Sequence, residues 1–235
     1  MSSSAVSPLA RPFPNIPEIQ GVVRRIARAH YKSWDRCDLT LMTFDEGTSV
    51  AGVLTQSKCP SSEVDWCREH LPQGHARALV VSAGNANAFT GRRGRAAVEA
   101  VTARVAERLK CPIEAVFVSA TGVIGVPLPI DKAEAGLDAA FQAQPCSWEE
   151  AAATIMTTDT FPKGAVTTAV IGARTVTLAG IIKGSGMIAP DMATMLGYIV
   201  TDAAVTPDFL QALLSAANRE TFSCITVDSD TSTSD

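Results

Sequence analysis

The stretch KGSGMIAPDMATML, residues 183–196, is the most unusual in the chain. Two glycines follow an apolar, β-rich run and free the backbone for dihedrals that other residues avoid. Pro190 and Asp191 favour a turn. The small Ala193 then precedes Thr194, and MLGYIVTD (195–202) reads as a strand directly afterwards. A threonine at the head of a strand, with little bulk before it, exposes the preceding peptide bond to its own hydroxyl. A break between Ala193 and Thr194 solves an activation problem, because a threonine hydroxyl is a poor nucleophile when nothing nearby removes its proton. An N-to-O acyl shift and hydrolysis leave Thr194 with a free α-amine of pKa roughly 7.7–8.0. That amine serves as base toward the hydroxyl beside it. Taken alone the pattern is weak, since any alanine–threonine pair before a strand satisfies it.

Upstream, TTAVIGARTVTLAGIIKG (167–184) holds two β-rich stretches around Gly172, Ala173 and Arg174 and reads as a hairpin. Ser147 with Glu150 three residues later is a capping-box start for a helix running through Met156. EAVFVSATG (114–122) and ARALVVSAG (76–84) are apolar runs of strand length. Between them Val98, Val101, Val105 and Leu109 recur at helical spacing and predict one buried stripe. LTLMTF (39–44) and SVAGVL (49–54) flank Asp45, Glu46 and Gly47 and predict a second hairpin. Downstream, Thr206 and Pro207 open a helix with Leu210, Leu213, Leu214 and Ala217 along one side. Strands and helices in mixed order, with hairpins as well as crossovers, predict a layered α/β or α+β fold with a largely antiparallel or mixed sheet. No internal repeat and no Pro/Gly-rich linker divides the chain.

At 235 residues, with 46% hydrophobic and 19% charged residues, the chain has the composition of a globular protein that needs no disulfide or metal staple. Its net charge of −4 argues against a nucleic-acid partner, and the basic run RRGR (92–95) reads as a solvated loop and helix start. The six cysteines are irregularly spaced and read as reduced thiols. His30, His70 and His75 form no ligand motif, so no metal site is expected. No run of eighteen apolar residues suggests a membrane span. The first twenty residues carry four prolines and four serines without an apolar region, which predicts a flexible tail over 1–20 rather than a secretory signal, and a cytoplasmic protein.

Three further places carry possible chemistry. SATGVIG (119–125) ends a strand at Thr121 and Gly122, where backbone N–H groups and the Thr121 hydroxyl are candidate oxyanion donors; an ordinary strand-to-loop turn reads the same way. TTDT (157–160) follows a predicted helix, and its hydroxyls either cap the backbone or bind substrate. Lys183, at a strand end beside two glycines, is either a solvated lysine or a point charge for a substrate carboxylate. Nucleotide-binding and serine-hydrolase glycine motifs are missing.

GNANAFTG (84–91), SATGVIGVPLPIDK (119–132), IMTTDTFPK (155–163), KGSGMIAPDMATML and DSDTSTSD (228–235) occur together in this order. In this combination the chain strongly resembles the ornithine acetyltransferase family, the glutamate N-acetyltransferases of arginine biosynthesis, from about Gly21 to Asp235. The resemblance implies an α/β fold with mixed sheets packed between helices, of the N-terminal-nucleophile type. It implies self-cleavage between Ala193 and Thr194, so that 21–193 is the α-chain region and 194–235 the start of a β chain, usually assembled as an α2β2 heterotetramer. It also implies a ping-pong transfer of the acetyl group from N-acetylornithine to glutamate through acetyl-Thr194. Thr121 and Gly122 match the family's oxyanion pair, and Thr157, Lys183 and Thr194 its substrate contacts. No cofactor is implied; acetyl-CoA is a candidate co-substrate. The chain stops inside the region where family members continue and is read as a fragment, lacking the acidic and amide residues of that later part. Phe89 stands where the family commonly has a smaller residue. An N-terminal-nucleophile peptidase or amidase, and a silent fragment that needs its missing part, are the competing readings.

Overall fold

The computed structural model describes residues 6–189 and 195–231. Two sheets and five helices form the described part. The first sheet contains β1 (Val22–Ala27), β2 (Leu39–Phe44), β3 (Ala78–Asn85) and β4 (Val116–Val123) in that spatial order. β1, β2 and β3 pair antiparallel, whereas β3 and β4 are parallel. The parallel pair requires a crossover, which α2 (Gly91–Leu109) supplies. β3 is buried on both faces along most of its length, which is why ALVVSAGN reads as a continuous run rather than an alternation.

The second sheet is the expected hairpin of β5 (Lys163–Ile171) and β6 (Arg174–Lys183), extended by β7 (Leu196–Thr201). All three strands are antiparallel, and β6–β7 pairing runs from Leu178 opposite Thr201 to Lys183 opposite Leu196. A layered α/β architecture with a mixed sheet is what the sequence predicts; the structure divides its strands between one mixed and one antiparallel sheet.

α1 (Ser62–His70), α2 and α3 (Ile130–Gln142) cover one face of the first sheet. The stripe on α2 appears as expected, with Val98, Val101 and Val105 buried and Leu109 at its edge. Each fully buried valine contributes about 1.5 kcal/mol or more. On the other face Val22, Met42 and Val81 meet α4 (Trp148–Thr154) and the inner residues Ala179 and Ile181 of β6, so the two sheets share a core. The Ser147–Glu150 capping box is formed in both directions. α5 (Pro207–Glu220) begins with proline in its first turn, as predicted. Its apolar side is not covered, however: Phe209 and Leu213 are exposed, and only Leu210 and Leu214 are partly buried.

Two expectations need correction. SVAGVL is not a strand. Ser49 makes one isolated bridge to His75, and β2 finds its partners in β1 and β3 instead of in a hairpin through Gly47. The stretch expected as a tail is anchored over part of its length. Ile19 is buried, Phe13 and Ile16 pack against the inter-sheet core, and the Pro17 carbonyl accepts from the Trp148 indole N–H at 3.1 Å. Glu18 forms a bidentate pair with the buried Arg24 guanidinium, which stacks over Trp148. Among the described residues no helix is long and apolar enough to cross a membrane.

Candidate active site

The site grows from the end of the parallel pair. Ala83 and Gly84 of β3 run beside Thr121 and Gly122 of β4, and the register shifts at Gly84 and Asn85. Gly122 has φ +132°, and a Cβ there would lie 2.4 Å from the Gly84 carbonyl carbon and 2.7 Å from the Asn85 nitrogen. Only glycine lets the two backbones come so close. Asn85 secures the turn, donating to the Val126 carbonyl at 3.0 Å and accepting from the Asn87 N–H at 2.7 Å.

Thr121 is buried, and its hydroxyl oxygen accepts a 2.9 Å hydrogen bond from the ammonium of Lys183, itself 3% exposed at the end of β6. This bond ties the first sheet to the second at their facing strand ends. An ammonium on the threonine oxygen draws charge from the O–H bond and leaves the hydroxyl proton as a strengthened donor. The pair therefore suits a negative charge developing beside it, which is the requirement of an oxyanion site.

The TTDT loop supports the turn that follows Lys183. Asp159 accepts from the Lys163 ammonium at 2.5 Å, from the Gly184 N–H at 2.8 Å and, more weakly, from the Thr157 N–H at 3.4 Å. The Thr158 hydroxyl accepts from the Gly186 N–H at 3.3 Å. Burial pushes the Asp159 carboxyl upward, but the bonds from Lys163 and Gly184 and the charges of Lys163 and Lys183 outweigh it, so it titrates below the usual carboxylate range. The start of this loop is held by Arg36, whose guanidinium donates to the carbonyls of Ala153, Thr154 and Met156 and so closes the C-terminal end of α4.

Thr121, Gly122 and Lys183 are thus brought together, and half-buried Thr157 lies on the loop that contacts the Lys183–Gly186 turn. Ala193 and Thr194 lie outside the described residues. Leu196, two residues after Thr194, is registered opposite Lys183. Sequence reasoning missed Asp159 and Arg36. The one usable signal for Asp159 was an acidic residue four before Lys163, a spacing that reads as an ordinary surface pair.

Two stacked sheets, joined at their strand ends by a buried threonine–lysine pair, define a layered α/β protein. A crystal structure of the arginine biosynthesis bifunctional protein ArgJ from Bacillus halodurans superposes with a TM-score of 0.68 at 31% identity, over 76% of this chain and 92% of that one. The structure of ornithine acetyltransferase from Mycobacterium tuberculosis, complexed with ornithine, gives 0.63 at 30% identity, over 76% and 94%. The chain belongs to the ArgJ family, which it matches over residues 24–235. The arginine biosynthesis bifunctional protein ArgJ of Zymomonas mobilis is 60% identical over 231 residues, covering 98% of this chain and 56% of that protein. The chain therefore spans little more than half the length of that relative.

Proposed function

We propose that this chain forms the catalytic part of a glutamate N-acetyltransferase of arginine biosynthesis, acting in the cytoplasm after cleavage between Ala193 and Thr194. The observation that carries the reading is the 2.9 Å bond from buried Lys183 to the Thr121 hydroxyl, beside a glycine whose backbone no other residue could adopt. In the cleavage step the Thr194 hydroxyl attacks the Ala193 carbonyl carbon. The C–N bond breaks as the nitrogen takes up a proton, and water then hydrolyses the ester, leaving an Ala193 carboxylate and a free Thr194 amine.

The lengths of the solved relatives support this division. If 76% of 235 residues makes up 92% or 94% of each matched chain, those chains have roughly 190–195 residues. That is close to the 193 residues that precede the proposed break, with 194–235 as the beginning of a β chain and α2β2 as the assembly.

In the transfer, Thr194 attacks the acetyl carbon of N-acetylornithine while its own amine takes the hydroxyl proton. Thr121 and Gly122 donate to the oxyanion. The proton passes to the departing ornithine amine, leaving acetyl-Thr194. The glutamate amine then attacks that ester and regenerates the hydroxyl. Thr157 and Lys183 contact the substrate, and the ornithine bound in the M. tuberculosis relative agrees with the donor. The word bifunctional in the relatives' name favours acetyl-CoA as a second acetyl donor. No cofactor is needed, since each step is an acyl or proton transfer between groups already named.

The test is intact-protein mass spectrometry of the purified chain, followed by assay of N-acetylornithine with and without glutamate. Two species, one beginning Thr-Met-Leu-Gly, and an acetyl adduct on that species are expected, with neither in Thr194→Ala. A chain that stays whole, or glutamate-insensitive hydrolysis, overturns the proposal.

A further inference from the structure

The turn that precedes the proposed cleavage site in the sequence is gripped by residues that follow that site in the sequence. Met187, a non-glycine residue with φ +63°, and Ile188 both direct their N–H groups onto one carboxylate: Asp228 Oδ2 accepts from Met187 at 2.6 Å and Oδ1 from Ile188 at 2.9 Å. The Ile188 carbonyl accepts in return from the Val227 N–H at 2.9 Å and from the Thr226 hydroxyl at 3.3 Å. Ile188 and Ala189 are buried, whereas Asp228 lies at the surface. A methionine does not hold a left-handed backbone unaided, because its Cβ crowds the carbonyl oxygen. Two charge-assisted bonds to its own and the next N–H supply the hold. Asp228 is exposed and adds nothing to a hydrophobic core; besides the two bonds to the 187–188 backbone, its Oδ1 accepts from the Asp230 N–H at 3.1 Å, which fixes the carboxylate on its own loop.

We propose that Asp228 is a positioning residue for self-cleavage, its carboxylate keeping the 186–189 turn in the conformation from which the downstream bond is attacked. The inference rests on the cleavage reading above. Its physical basis is that intramolecular attack is fast only when the reacting atoms are held near their attack geometry. A turn that relaxes to negative φ at Met187 redirects the chain entering the cleavage segment.

The experiment follows cleavage of freshly synthesised chain by intact-mass time course, with thermal midpoints measured in the uncut Thr194→Ala background. Asp228→Asn is nearly isosteric but leaves one N–H without an acceptor, and it is expected to slow cleavage about tenfold at an unchanged midpoint. Asp228→Glu should recover part of the rate that Asp228→Ala loses. Cleavage of Asp228→Asn at the wild-type rate overturns the proposal. If Asp228→Asn also lowers the midpoint, adding Met187→Gly decides, because glycine reaches φ +63° without help. Recovery of cleavage in the double variant supports the grip, and continued slow cleavage assigns Asp228 to stability alone and overturns it. A wild-type chain that never cleaves defeats the underlying reading, and that result is distinct from a cleaving wild type matched by its Asp228 variants.

Discussion

Replacing Asp159 by asparagine removes one charge from the centre of the site while keeping its shape. Asparagine still offers one oxygen, so the Gly184 N–H bond survives in a weaker, neutral form. The 2.5 Å bond from Lys163 loses its charged partner. Bonds to a charged group contribute about 1.5–3 kcal/mol each and neutral ones about 1 kcal/mol. Lys163 is 27% exposed and regains water, which reduces its loss. The expected cost is about 2–4 kcal/mol, and at this chain length each kcal/mol moves the melting midpoint by about 2–4 °C. The pH dependence gives a sharper test. The folded carboxyl titrates below the unfolded value of about 3.9. Its contribution is therefore fully present above that value and is lost as pH falls through the lower, folded value. Urea titrations should compare the chain that keeps Asp159 with the Asp159→Asn variant, both carrying Thr194→Ala so that the backbone stays intact. The stability gap between them should be constant from about pH 5 to 7 and close below about pH 4. A gap that stays constant or widens in acid refutes the reasoning.

Three other outcomes are expected. Gly122→Ala forces a methyl group into the Gly84 and Asn85 backbone and should cost about 2 kcal/mol or more, read from the urea midpoint. Ser147→Ala removes the N-terminal cap of α4 and should cost about 1 kcal/mol by the same measurement. Iodoacetamide with peptide mapping should label exposed Cys59 and Cys224 first. Cys67 and Cys146, both pushed up by burial to about 11, should resist until the protein unfolds.

Elements defined by local chemistry were legible. The capping box, the Gly172 hairpin and the valine stripe of α2 each place their determining residues within a few positions of one another. α3 passed unnoticed because its buried stripe consists of Ala133, Gly136, Leu137 and Ala140, with one large apolar residue. Gly136 is there for close approach, since a Cβ would lie 2.7 Å from that of Ala29, a requirement that hydropathy does not express. The SVAGVL error has the opposite origin. Glu46 and Gly47 do form a turn, but the pairing of β2 is decided by β3, more than thirty residues downstream. In the site, Thr121, Gly122 and Lys183 stood out through their glycines and the family's blocks. Asp159 and Arg36 act on backbone groups 25 and more than 115 residues away, and nothing local announces such partners.

The bond proposed for cleavage joins adjacent strands of a single sheet. Six register pairs between β6 and β7 would bridge the nick, so the processed protein should keep its hydrodynamic size and circular dichroism. Once unfolded, however, its two pieces must find each other by a bimolecular, concentration-dependent encounter where the unprocessed chain needs only loop closure. Maturation would then be a ratchet on refolding: the uncut chain recovers from denaturation at any dilution, and the nicked one does not.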